Sequence, residues 1–95
     1  MRNYEVLFVL RPDLTEEAVQ ANKEKVNALI TNNGGEIVKV DDMGKRRLAY
    51  EIQDFKEGIY TVVYFKGTNE TVKELDRVIK ITEDVIRYLI VKDEE

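Results

Sequence analysis

The chain has no cysteine and no histidine, and it has a single proline. Without cysteine there is no disulfide framework and no thiolate chemistry, which suits a reducing compartment. Without histidine the chain lacks both the commonest general base and the commonest transition-metal ligand. No apolar run approaches the roughly 20 residues that span a bilayer. Met1-Arg2-Asn3-Tyr4-Glu5 leads directly into alternation with no signal-peptide pattern. These absences point to a soluble, unprocessed, intracellular domain. A basic balance is also missing: 15 Lys and Arg stand against 19 Asp and Glu, a net charge of −4. A protein that binds nucleic acid alone normally carries a basic field. Any such contact here must come from local clusters or from a basic partner.

What remains is the composition of one globular domain. Its 95 residues are 43% hydrophobic and 36% charged, enough for a single modest core under a heavily ionised surface. Tyr4 to Leu10 alternates as a first strand, with Tyr4, Val6, Phe8 and Leu10 on one face and Glu5, Leu7 and Val9 on the other. Arg11-Pro12-Asp13 ends it, and Asp13 or Thr15 offers an N-cap for a helix reaching about Thr31. Glu16 and Glu17 suit the first turn of that helix, and Val19, Val26, Leu29 and Ile30 form its buried stripe. Asn32-Asn33-Gly34-Gly35 stops it.

A second strand begins at Ile37, bends or bulges at Met43-Gly44, and resumes from Leu48 to Ile52. In that last run Leu48, Tyr50 and Ile52 are expected on one buried face. Asp54 to Gly58 reads as a hairpin turn, followed by a third strand from Ile59 to Phe65 rich in β-branched and aromatic residues. Asn69 is the expected cap of a second helix, from about Glu70 to Ile81, with Val72, Leu75, Val78 and Ile79 buried. Ile86 to Val91 forms the last strand, with Arg87, Leu89 and Val91 opposite Tyr88 and Ile90. Residues 1–92 make one domain. Residues 93–95 form a short acidic end, and fraying is expected from Lys92 onward.

The order β-α-β-β-α-β is that of the α+β ferredoxin-like sandwich. Right-handed crossovers predict a four-stranded antiparallel sheet in the order 4-1-3-2, with both helices on one face. The other face then carries Leu7, Val9, Tyr60, Val62, Tyr64, Leu89 and Val91. Contiguous apolar surface of that kind marks a contact site. Sheet aromatics also suggest base stacking. However, Ile59 to Phe65 has neither glycine nor cation between its tyrosines, so packing against a protein partner is the better use of Tyr60 and Tyr64.

Lys45-Arg46-Arg47 is the one run of three cations, following Gly44 on a turn that enters a strand. A rigidly supported cation cluster suits phosphates. A solvated rim, or a guard against aggregation at an edge strand, is the plain alternative. Arg2, Arg87 and Lys92 add charge on the first and last strands, whereas Arg77 and Lys80 are expected to pair with Glu74, Asp76 and Glu83. Catalysis has no support. Arg11 occupies a first β-α loop without a glycine-rich phosphate cradle, and adjacent Asp41 and Asp42 on a strand point to opposite faces. No metal and no cofactor is expected.

With these residues in hand, the chain resembles the family of the sixth protein of the bacterial small ribosomal subunit. The resemblance is carried by Tyr4-Glu5, by Leu10 with Pro12, by Gly44-x-Arg46-Arg47-Leu48-Ala49-Tyr50 with Ile52, by Gly58 and Tyr60, and by Arg87 and Lys92. It implies a structural, cytoplasmic ribosomal protein. Such a protein binds the central domain of small-subunit ribosomal RNA as a heterodimer with a small basic partner, ribosomal protein eighteen. Carried onto this chain, the resemblance makes Arg2, Lys45, Arg46, Arg47, Arg87 and Lys92 the cations nearest RNA. It makes Leu7, Val9, Tyr60, Val62, Tyr64 and Leu89 the partner surface, while Tyr4 and Tyr50 hold the sheet together. The reading from a different class is a dimerising or ligand-sensing regulatory module of the same fold.

Overall fold

The computed structural model describes residues 1–93. Its elements are β1 (Arg2–Leu10), α1 (Glu16–Asn32), β2 (Glu36–Ile52), β3 (Phe55–Gly67), α2 (Asn69–Lys80) and β4 (Val85–Lys92). The sheet runs β2-β3-β1-β4 with every neighbouring pair antiparallel, which is the expected order counted from the opposite edge. Both helices pack on one face. Tyr4, Val6, Phe8 and Leu10 of β1 and Val63 and Phe65 of β3 meet Val26 and Ile30 of α1 and Leu75 and Ile79 of α2. The rings of Tyr4 and Phe65 stack with centroids 5.6 Å apart. Each such apolar side chain contributes about 1.5–3 kcal/mol on full burial, so this layer fixes the sheet rigidly.

The ends of the elements follow local chemistry, with three departures from expectation. Thr15 caps α1, its hydroxyl accepting from the Ala18 N–H at 3.2 Å. The helix ends at Asn33, followed by Gly34 at φ +83°. The cap of α2 is Thr68 rather than Asn69, because Thr68 holds the extended backbone that a cap requires while Asn69 is already helical. The Thr68 hydroxyl accepts from the Thr71 N–H, and the Thr71 hydroxyl accepts from the Thr68 N–H. The hairpin reverses at Gln53 and Asp54, both at positive φ, so Phe55 to Gly58 belong to β3 and not to the turn. Finally, the chain remains tied beyond Lys92, since the Asp93 N–H donates to the Asn3 carbonyl at 2.9 Å. The rest of the expected frayed end, Glu94 and Glu95, lies outside the described residues.

The expected bend in β2 is present, but the strand runs through it. Register shifts leave Val38 and Met43 without direct partners, and Gly44 adopts φ +74°. Beyond Arg47 the register shifts more strongly. Arg47 stands opposite Glu57 and Ile52 opposite Phe55, so the four residues from Leu48 to Glu51 face the single Lys56. This surplus chain forms an arch at one end of the sheet.

Candidate nucleic-acid interface

The face of the sheet away from the helices is ordered by strand register into three lateral rows. One runs Gly44–Tyr60–Val9–Arg87, the next Asp41–Val62–Leu7–Leu89, and the third Lys39–Tyr64–Glu5–Val91. The middle row is the apolar surface that the sequence suggested. Leu7 and Val62 are half-buried and Leu89 is 52% exposed. Tyr60 and Tyr64 flank it, and the Lys39 ammonium sits 5.8 Å from the centre of the Tyr64 ring.

Val9 does not belong to that surface. It is completely buried in a second small cluster with Leu48 and Ile86, bordered by Ile52, Phe55 and Tyr60. The cause is the arch. Leu48 folds from β2 over the end of the sheet, while a register shift at Val9/Leu10 brings Ile86 to the same side. Strand alternation alone leaves Val9 open, and the added layer closes it.

The same arch overturns the expectation for Tyr50. Leu48 is buried and Ile52 half-buried, but Tyr50 is 63% exposed. Tyr4, by contrast, is in the core as expected. The Tyr50 hydroxyl lies 3.5 Å from the Arg87 guanidinium, which donates to it. Tyr50 leaves from β2, and Arg87 belongs to β4 at the opposite edge. With strands about 4.8 Å apart, the contact crosses the width of the sheet.

The expected cations are all exposed, and among the described residues none of Arg2, Lys45, Arg46, Arg47, Arg87 and Lys92 is in an ion pair. Arg77 and Lys80 do pair, with Glu74 and Asp76. The Arg77 hydrogen bond holds the Glu74 carboxyl below its usual range, and Glu74 in turn raises Arg77. The free cations do not form one cluster. Arg46 lies opposite Gly58 at the foot of the arch, its Nε donating to the Met43 carbonyl at 3.2 Å, and Arg47 follows opposite Glu57. Arg87 stands across the arch. Lys45, opposite Ile59, turns to the helix side and lines a groove with Glu16, Glu17 and Lys23. Arg2 and Lys92 lie at the other end of the sheet, near Gly67 and Tyr4. Arg87 and Lys92 are separated by roughly 16 Å of strand at about 3.3 Å per residue.

Asp42 and Arg11 have structural partners. Asp42 pairs with Lys23 of α1 at 2.8 Å, whereas Asp41 faces the open side. The Arg11 guanidinium is held by both Asp13 carboxylate oxygens, at 3.2 and 3.1 Å, and lies over the Phe55 ring. Among the described residues no group of three or more acidic side chains could hold a metal ion. No described helix is long and apolar enough to cross a membrane.

The model of the family described as ribosomal protein S6 matches residues 3–92. The small ribosomal subunit protein bS6 of Moorella thermoacetica is 56% identical over 95 residues, spanning 100% of this chain and 97% of its own. That of Syntrophomonas wolfei is 53% identical over 96 residues, covering 100% and 99%. The crystal structure of 30S ribosomal protein S6 from Thermotoga maritima superposes with a TM-score of 0.93 at 36% identity, over 97% of this chain and 87% of that one. The fold, the uncovered apolar row and the free cations thus occur in a chain that spans 97% and 99% of these two ribosomal relatives. The chain belongs to the ribosomal protein S6 family, and its role is structural rather than enzymatic.

Proposed function

We propose that this chain binds the central domain of small-subunit ribosomal RNA as a heterodimer with ribosomal protein eighteen, in the cytoplasm. The observation that carries the reading is the pairing of two surfaces on one rigid sheet. Unpaired Arg46, Arg47 and Arg87 surround the arch, and the uncovered row Val62–Leu7–Leu89 runs beside it. Tyr60 and Tyr64 extend that row into the partner surface, and Lys45, Arg2 and Lys92 supply secondary phosphate contacts. Residues 1–92 act as one domain in this role. A chain of net charge −4 gains little from RNA alone, so a basic partner supplies most of the phosphate neutralisation. The partner docks on a preformed sheet, which lowers the ordering cost of its own RNA contacts.

The test is binding to a transcript of the central domain with and without the partner. The isolated chain binds feebly, and the partner raises affinity strongly. Equal binding in both cases overturns the scheme. Replacing Arg46 and Arg47 together by alanine weakens the ternary complex and flattens its log–log salt slope by roughly 2, with thermal stability nearly unchanged. The regulatory reading draws on the same exposed Leu89, and it requires a stable homodimer closed through the open face in gel filtration.

A further inference from the structure

We infer that Tyr50 is a stacking platform for one unpaired nucleobase of the bound RNA, oriented by Arg87; the inference rests on the RNA-binding reading above. A large aromatic side chain that is 63% exposed gives up the burial that normally justifies it. No described ring or cation lies over its face. The other open-face tyrosines differ. Tyr60 is packed under the arch against the Val9–Leu48–Ile86 cluster, and Lys39 covers Tyr64. Tyr50 alone presents a free aromatic face.

The ring is also pre-positioned. Its backbone is anchored by buried Leu48, two residues earlier in the chain, and its hydroxyl accepts from Arg87 at the far edge of the sheet. A side chain tethered at both ends loses less freedom when a ligand settles on it. Arg46, on the open side of the strand opposite Gly58, stands at the foot of the same arch with no carboxylate partner among the described residues. Phosphates are therefore attracted to the place where the ring waits. Bases inside a duplex already stack on their neighbours, so the ligand is a base in a loop, bulge or junction. Every base has a π-face, which makes the contact tolerant of base identity. The local positive charge favours RNA over a basic protein at this point, whereas the uncharged row for a protein lies along Val62–Leu7–Leu89.

The experiment measures affinity of the complete chain for the central-domain transcript, with ribosomal protein eighteen present, at several salt concentrations. Tyr50→Leu keeps an apolar side chain but removes the π-face. It should bind roughly 5- to 150-fold more weakly, with an unchanged salt slope and unchanged melting temperature. Tyr50→Trp should restore full affinity, and Tyr50→Phe should fall within about threefold of the parent, since it loses one long hydrogen bond. If Tyr50→Leu binds as tightly as the parent while Arg46→Ala binds less tightly, the stacking role is wrong and the cation site stands. If Tyr50→Leu weakens binding to the partner protein in the absence of RNA, Tyr50 is a protein contact and the inference falls. If the parent complex itself fails to bind the transcript, the RNA reading fails and takes this inference with it.

Discussion

Two single residues show how closely the sheet is packed on its two faces. Gly58 has no unusual backbone angle, yet a Cβ there would collide with Cγ1 of buried Val9, with Ile86 3.6 Å away. Glycine is needed for space and not for flexibility. Gly58→Ala should cost about 1–3 kcal/mol in urea unfolding, as overpacked sites do, and a neutral result would mean that the arch can lift without cost. On the helix side, the Tyr88 hydroxyl donates to the Asp76 carboxylate at 2.7 Å, which favours the neutral phenol and raises its pKa above the ordinary value near 10. The stabilisation is fully present below pH 10. It is lost as pH rises through the folded-state value, because the unfolded chain ionises first. The stability gap between the parent and Tyr88→Phe should therefore narrow above pH 10 in unfolding curves recorded from pH 8 to 11, and a constant gap would remove the Asp76 bond from the account.

At the scale of elements, the two helices are joined by one hydroxyl. Thr71 is completely buried, and its Oγ1 accepts from the Thr68 N–H and donates to the Asn33 carbonyl at 2.7 Å. One side chain thus closes the start of α2 and the end of α1. Thr71→Val leaves both backbone groups unmatched and should cost about 1–3 kcal/mol, whereas Thr68→Ala should cost only about 1 kcal/mol as an ordinary cap loss. Equal costs would deny the link between the helices.

Element by element, the sequence was most legible where neighbours on both sides enforce alternation. β1 and β3 are central strands, and their helix-facing residues are the ones that period two predicts. Leu48 to Ile52 alternates just as well, yet its alternation gives no sign of the arch. Its course depends on a slot between Val9 and Ile86 that exists only after β1 and β4 have paired. The tight turn at Gln53-Asp54 was hidden because it lacks the glycine that usually marks positive φ, while Gly58, read as a turn residue, serves packing instead. Thr68 and Asn69 are both good caps, and their order along the chain could not decide between them. The exposure of the six cations and the open-face placement of Leu7, Val62 and Leu89 were readable. The burial of Val9 and the exposure of Tyr50 were not, since both follow from the arch.

For the whole molecule, the free cations are distributed and not concentrated. Arg87 and Lys92 stand roughly 16 Å apart along one strand, and charges in physiological salt are screened over about 8 Å. In the proposed complex they therefore act as separate contacts. Arg87→Ala and Lys92→Ala should each weaken the RNA complex, and the double variant should show losses that add within about 0.5 kcal/mol. A strongly non-additive cycle would place both on one shared phosphate cluster. Separate footholds have a geometric result that a single patch cannot give. A body pinned at one point can swivel about it, but one gripped at both ends of a stiff plate has a fixed heading. Because the β1 and β4 backbones would lie locked between the two grips in the proposed complex, the plate itself would set which way its apolar row faces the proposed partner.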